Sequence, residues 1–399
     1  MKYDFTNVPD RIGKDALAYD AVLNGSVLGK PKEGFDVIPM WIADMNFQTA
    51  PSVSAELRKR IEHPLYGYYL VSDAYYDAII NWQKTRNRVT GLSRENIGYE
   101  NGVLGGIVNA LNVFCSKGDA VLVHRPTYVG FTRILKDNGY RIISSDLVKD
   151  ENGRWVMDYE DMETKIRENR IHAAIFCSPH NPTGRVWEKE EILSAMEIFR
   201  KYDVMVAADE IWSDLTLKGH EHIPTQSVSE DAKMRTAAFY APSKTFNLSG
   251  LIGSYHVVYN SYLHDRLLKE SSLSHYNSMN VLSMHALIGA FRPAGAEWLG
   301  ELKDVLTENV EYGYEKLRAI HGVKLAKPEG TYLLYPDFTE YCEKHGVTID
   351  EILKAGWDVG VGWQDGRPFG LDNTIRMNLA LPKERLKEAF ERLNRYVLK

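Results

Sequence analysis

The sequence predicts an α/β fold: a large unit with a mostly parallel sheet covered by helices on both faces, and a smaller α+β unit formed by the N-terminal segment and the C-terminal region. Three observations predict it. Between about residues 95 and 260, short β-branched or apolar runs alternate with amphipathic stretches, as in strands joined by crossover helices. The runs are almost continuously apolar, which suits strands buried on both faces. Towards the C-terminus the pattern changes to a long charged amphipathic stretch at 301–320, a strand-like run at 330–335 and helical stretches around 348–355 and 383–397.

The elements follow in chain order. Residues 1–47 are loop-rich and lack a core pattern of their own, so they are expected to pack on the small unit. Residues 48–289 form the large unit and 290–399 the small one. The predicted strands are 120–124, 141–145, 173–177, 204–208, 237–240 and 254–259. Between the third and fourth, Ile192, Leu193, Met196 and Phe199 recur at helical spacing behind the acidic turn Glu188, Glu190 and Glu191. No internal repeat or low-complexity tract interrupts the chain.

Bulk properties narrow the function. The 399 residues are 44% hydrophobic, enough for a substantial core, and 48 basic against 54 acidic residues give a net charge of -6. That balance offers no polycationic surface to nucleic acid or acidic membranes. The segment MKYDFTNVPDRIGKD lacks the apolar core of a secretory signal, and no uncharged apolar stretch reaches the roughly 18 residues of a membrane span. A cytoplasmic protein handling small molecules is expected. Cys115, Cys177 and Cys342 lie far apart, without CxxC pairing or histidines at zinc-ligand spacing, and are expected to be small core residues in a reducing compartment. No metal is assigned.

The polar residues collect where open parallel sheets bind ligands, at the carboxyl ends of strands. After 120–124 comes Tyr128, after 173–177 comes Asn181, after 204–208 comes Asp209, and after 237–240 come Ser243 and Lys244. Lysine is rarely buried without a partner, yet as a Schiff base with an aldehyde it becomes useful chemistry. Pyridoxal phosphate asks for this set: a carboxylate to keep the ring nitrogen protonated (Asp209), a donor for the phenolate oxygen (Asn181) and a flat cover for the ring (Tyr128). Its phosphate needs N–H groups at a helix start, which the run Asn101-Gly102-Val103-Leu104-Gly105-Gly106 precedes, and Ser243 adds a hydroxyl.

With these residues in this order, the chain resembles the fold-type I pyridoxal-phosphate enzymes of the class I/II aminotransferase superfamily from about residue 35 to 385. Met40-Trp41-Ile42-Ala43-Asp44-Met45-Asn46-Phe47 and Ser243-Lys244-Thr245-Phe246-Asn247-Leu248 resemble the branch of cystathionine β-lyases and C–S lyases of the MalY/PatB type. The resemblance implies that Lys244 holds pyridoxal 5'-phosphate covalently and acts in catalysis with Tyr128, which stacks on the ring. It implies that Asp209 and Asn181 bind the ring atoms, that Val103, Leu104 and Ser243 bind the phosphate, and that Arg376 clamps the substrate α-carboxylate. Tyr68 would reach the phosphate of a neighbouring subunit, which makes a homodimer the expected unit.

Three positions depart from the pattern. Asn46 stands where the branch usually has Asp, Trp212 stands where it often has His, and Leu251-Ile252-Gly253-Ser254 lacks the arginine that many aminotransferases place there for phosphate. The implied reaction is β-elimination of a thiol from cystathionine or a cysteine S-conjugate, giving pyruvate and ammonia. The alternative is an aminotransferase acting on an amino acid and a 2-oxo acid with the same residues. A regulatory scaffold is a third reading, against which the intact set speaks. A fused DNA-binding regulator would need a helix-turn-helix for which the N-terminal segment is too short. His180 is expected beside the site rather than in it, Trp41 and Trp212 as pocket walls, and His220 and His222 in a polar loop.

Overall fold

A computed structural model describes residues 1–25, 27, 29–273, 275 and 277–398. The large unit is built on eight strands: β1 (Ile97–Glu100), β2 (Ala120–Arg125), β3 (Arg141–Lys149), β4 (Trp155–Met157), β5 (Ala173–Cys177), β6 (Met205–Asp209), β7 (Thr236–Tyr240) and β8 (Ser254–Val257). Their order in the sheet is β1-β8-β7-β6-β5-β2-β3-β4. The five central strands from β7 to β3 run parallel, and antiparallel pairings close both edges.

Alternation along the strands explains why both faces are covered. In β5, Ala174 and Phe176 join one apolar cluster, while Ala173, Ile175 and Cys177 join another. Strand β6 divides likewise, with Val206 and Ala208 on one side and Ala207 on the other. The helix Lys189–Lys201 buries Ile192, Ala195, Met196 and Phe199 against the first face. The helix Val103–Phe114 buries Val103, Ile107, Ala110 and Leu111 against the second.

Three elements differ from the sequence reading. The long C-terminal helix begins at Pro293, not 301, because proline suits the first helical turn and Trp298, Leu299 and Leu302 continue its buried stripe. The run 330–335 contributes only Leu333–Leu334 as paired strand. Thr331 sits at φ +66° and sends its N–H to Leu215 O, so the ladder cannot extend back to Gly330. Strand β8 ends at Val257 and runs antiparallel to β7.

The N-terminal segment touches both cores. Ile38–Pro39 runs parallel to Val361–Gly362, and Ile38 and Met40 join the C-terminal apolar cluster. Phe5 instead lies edge-on to Phe47 at 5.4 Å. All three cysteines are free, with Cys177 and Cys342 buried and Cys115 half-buried. Among the described residues no helix is long and apolar enough to cross a membrane.

Candidate active site

Chain order reverses between β2 and β5: from β2 the chain steps outward to β3, then crosses back to β5 and on to β6 and β7. A crevice opens at such a point at the strands' carboxyl ends. There a cavity of about 650 Å³ is lined by Tyr128 after β2, Asn181 after β5, Asp209 at the end of β6 and Lys244 after β7. Val103, Leu104, Ser243 and Arg376 line it too. The structure therefore brings eight of the nine sequence-predicted site residues together. Tyr68 is the ninth, fully exposed in the connection between helices Pro51–Ile61 and Asp73–Arg86, outside the cavity of its own chain.

Each side chain is held by its local structure. Lys244 lies in the short helix Pro242–Thr245, and its Nζ donates to Ala43 O at 3.1 Å. Burial, seconded by the positive charge of Arg376, brings its pKa down to about 8, although Asp44 and Asp209 pull the other way. Asp209 is buried, and burial pushes its carboxyl up to about 7. Its one hydrogen bond comes from Ile211 N at 3.1 Å, and it is in no ion pair among the described residues.

Arg376, in the strand Ile375–Asn378, is buried and equally incomplete. Its Nη1 donates to Asn181 Oδ1 at 3.2 Å and its Nη2 to Trp41 O at 3.1 Å, while Nε has no partner. The guanidinium sits 4.6 Å from the centre of the Phe369 ring, no carboxylate pairs with it among the described residues, and burial lowers its pKa to about 10.

Tyr128 caps the helix Val129–Asp137 and meets Phe131 edge-on at 5.4 Å. Its ring lies where a Cβ on Gly130 would be, 2.4 Å away, so only glycine lets the ring settle there. The helix Val103–Phe114 starts at Gly102, at φ +89°, with no side-chain cap. The N–H groups of its first turn are therefore open to an anion.

These groups fit the cofactor that the sequence implies. A pyridinium would neutralise Asp209, an aldehyde would take the Lys244 amine, and a phosphate would cap the uncapped helix. Arg376 would remain for a substrate carboxylate. Among the described residues no cluster of His, Cys, Asp or Glu is arranged to hold a metal ion.

Other residues needed the structure. Arg11, Asp15 and Asp44 also line the cavity. Asn247 Oδ1 accepts from Met45 N at 3.1 Å and its Nδ2 donates to Met45 O at 2.9 Å, and Asn378 donates to Ile42 O and Asp44 O at 2.7 Å each. These two amides fix the 42–45 segment against the lysine. Trp212 lines the cavity as expected, with Lys244 Nζ 6.0 Å from its ring centre. Trp41 does not: its indole donates to Ala18 O at 3.2 Å and packs among N-terminal apolar residues, leaving only its carbonyl for Arg376. His180 is buried behind the wall, bonded to Thr183 Oγ1 at 2.8 Å.

Fold and site together define an α/β enzyme scaffold with a lysine at a strand end. Residues 42–393 match the family described as aminotransferase class I and II, and the chain belongs to that family. It is similar to cystathionine beta-lyase PatB of Bacillus subtilis, at 29% identity over 98% of each chain. It also superposes on cystalysin from Treponema denticola, a structure containing a pyridoxal 5'-phosphate cofactor, with TM-score 0.90 and 29% identity over 99% of this chain and 98% of that one. The C–S lyase from Staphylococcus hominis gives TM-score 0.89 and 28% identity over 100% and 99%.

Proposed function

We propose that this protein is a C–S β-lyase that uses pyridoxal 5'-phosphate to eliminate a thiol from an amino acid carrying sulfur at Cβ, such as cystathionine or a cysteine S-conjugate, yielding pyruvate and ammonia. The observation that carries the pyridoxal-phosphate reading is the convergence on one cavity of Asp209, Lys244 and Arg376, three ionisable groups without adequate protein partners. Whole-length similarity to named C–S lyases supports the lyase branch over its relatives.

The cofactor, when bound, supplies an electron sink for charge developing at Cα. The chain's residues do the rest. Lys244 would hold the aldehyde, Asp209 would keep the ring nitrogen protonated, Asn181 would donate to the phenolate oxygen and Tyr128 would cover the ring. Val103, Leu104 and Ser243 would hold the phosphate. Arg376 would grip the substrate α-carboxylate through its planar fork and so fix the substrate's orientation in the cavity. Freed from the aldehyde when the substrate's amino group takes its place, the Lys244 amine would be the base that accepts the α-proton.

The working unit in this proposal is a cytoplasmic homodimer, with the exposed Tyr68 reaching the phosphate of the neighbouring subunit. The exposed apolar side chains of Leu65 and Leu70 beside it support that arrangement. Residues 1–47, 48–289 and 290–399 are taken as N-terminal segment, cofactor-binding unit and small unit. The test is pyruvate release from L-cystathionine by the holoenzyme without added 2-oxo acid. Release is the expected result, and strict dependence on a 2-oxo acid would make the protein an aminotransferase.

A further inference from the structure

The helix Val103–Phe114 begins without the device that usually fixes a helix start. A Ser, Thr, Asp or Asn side chain at the cap position bonds the first-turn N–H groups, but it would thereby occupy the donors that a phosphate needs. Gly102 takes that position at φ +89° and has no side chain to offer. Glycine is also the residue whose backbone is least restrained. The turn therefore has to be held from outside.

Two side chains hold it. Glu100 ends strand β1, two residues before the glycine, and is buried. Its side chain runs beneath the first turn of the helix, where Gly106 leaves room: a Cβ there would lie 2.9 Å from Glu100 Cγ. One carboxylate oxygen, Oε1, is 2.7 Å from His256 Nδ1 on strand β8, and the other accepts from Asn277 Nδ2 at 2.7 Å. The Glu100 carbonyl accepts from Ser254 Oγ at 2.8 Å and from Gly102 N at 2.9 Å. Asn277, from the connection between helices Ser261–Leu273 and Val281–Ala290, completes the clamp by accepting from Asn101 N at 3.0 Å through its Oδ1. Residues 100, 101 and 102 are thus each tied down just before the open N–H groups begin.

We propose that Glu100 and Asn277 are positioning residues for the cofactor phosphate: together they fix the turn 102–104 with its N–H groups toward the cavity, and so set the preference for pyridoxal 5'-phosphate over unphosphorylated pyridoxal. The proposal rests on the pyridoxal-phosphate reading and adds the residues that let the phosphate contribute to binding. Electrostatics sharpen it. A buried carboxylate loses its hydration and repels a second anion nearby, so its place behind an anion site needs a compensating gain. Its two acceptor oxygens supply that gain, because each holds a different element: a strand through His256 and a loop through Asn277. Neither residue touches the cavity, whereas Gly102, Val103 and Leu104 line it.

The experiment titrates the cofactor-free full-length protein with pyridoxal 5'-phosphate and with pyridoxal, read by the visible absorbance of the bound aldehyde, in wild type, Asn277→Ala and Glu100→Ala, with Tm measured alongside. Asn277→Ala should lower the ratio of the two affinities about tenfold, through weaker binding of the phosphorylated form, and leave pyridoxal affinity and Tm nearly unchanged. Glu100→Ala should lower the ratio at least as far and Tm with it, since His256 loses its partner. If Asn277→Ala keeps the wild-type ratio, whatever happens to Tm, the clamp only holds the fold and the proposal is overturned. A wild type that binds neither aldehyde overturns the cofactor reading, and this proposal falls with it.

Discussion

Asp209 and Glu210 are neighbours in the chain and both are buried, yet they belong to regions of opposite character. Glu210 is fully served. His222 Nε2 lies 2.8 Å from it, the Tyr240 hydroxyl donates at 2.5 Å and Thr225 N at 2.8 Å. Burial pushes its carboxyl up, but the charge and hydrogen bond of His222, with the Tyr240 and Thr225 donors, outweigh this and hold it below its ordinary value. Asp209 has one backbone N–H and rises to about 7. The same contrast separates two buried arginines: Arg185 is paired with both Glu191 and Glu329, whereas Arg376 has no carboxylate. Glu210 and Arg185 have their charges met by protein partners, while Asp209 and Arg376, which line the cavity, do not, and these two groups are suited to ligand atoms.

The comparison can be broken or sharpened by mutation. The largest effect is expected from Lys244→Ala, which in the proposed mechanism removes both the covalent anchor and the proton carrier; turnover should fall by at least about 10⁴-fold with folding intact, measured as pyruvate release and by far-UV circular dichroism. Glu210→Ala should act on the other region. Leaving His222 and Tyr240 without their shared acceptor should lose about 3–5 kcal/mol of unfolding free energy in denaturant titrations. Equal losses of stability from both variants would erase the distinction between the regions.

Arg376→Lys keeps the charge and loses the fork. It should lower kcat/KM about 10²-fold with little change in Tm, since no protein carboxylate depends on it. A final, finer test uses pH on the cofactor-free protein. The Asp209 carboxyl lies at about 7 when folded against an ordinary 3.8, so between those values the folded state holds the proton more tightly than the unfolded chain. Its contribution to stability therefore falls as pH rises through that window, by about 1.4 kcal/mol per pH unit, and is level above it. The Tm advantage of Asp209→Asn over wild type should widen from pH 4 to 7 and then stay constant. A gap independent of pH would mean that Asp209 is already partnered.

The strand-end part of the site was legible in the sequence because Tyr128, Asn181, Asp209 and Lys244 each follow a short apolar run that reads as a buried strand. The rest of the lining was not. Arg11, Asp15 and Asp44 lie outside helices and strands, with no periodicity to announce them, and Asn247 and Asn378 fix the 42–45 segment across more than two hundred residues of sequence. Strand β1 escaped for a related reason. It is a four-residue edge strand whose Gly98 yields space to the His256 ring, 2.3 Å from where a Cβ would sit, and a short run with a central glycine carries little strand signal. The antiparallel turn of β8 is a choice of partner, made by packing and invisible in any single segment.

The most direct test of the central claim is chemical. Protein reconstituted with pyridoxal 5'-phosphate and reduced with borohydride should carry one phosphopyridoxyl group, located by peptide mapping on Lys244. Mapping that finds Lys244 unlabelled, with the group absent or on another lysine, would contradict the account.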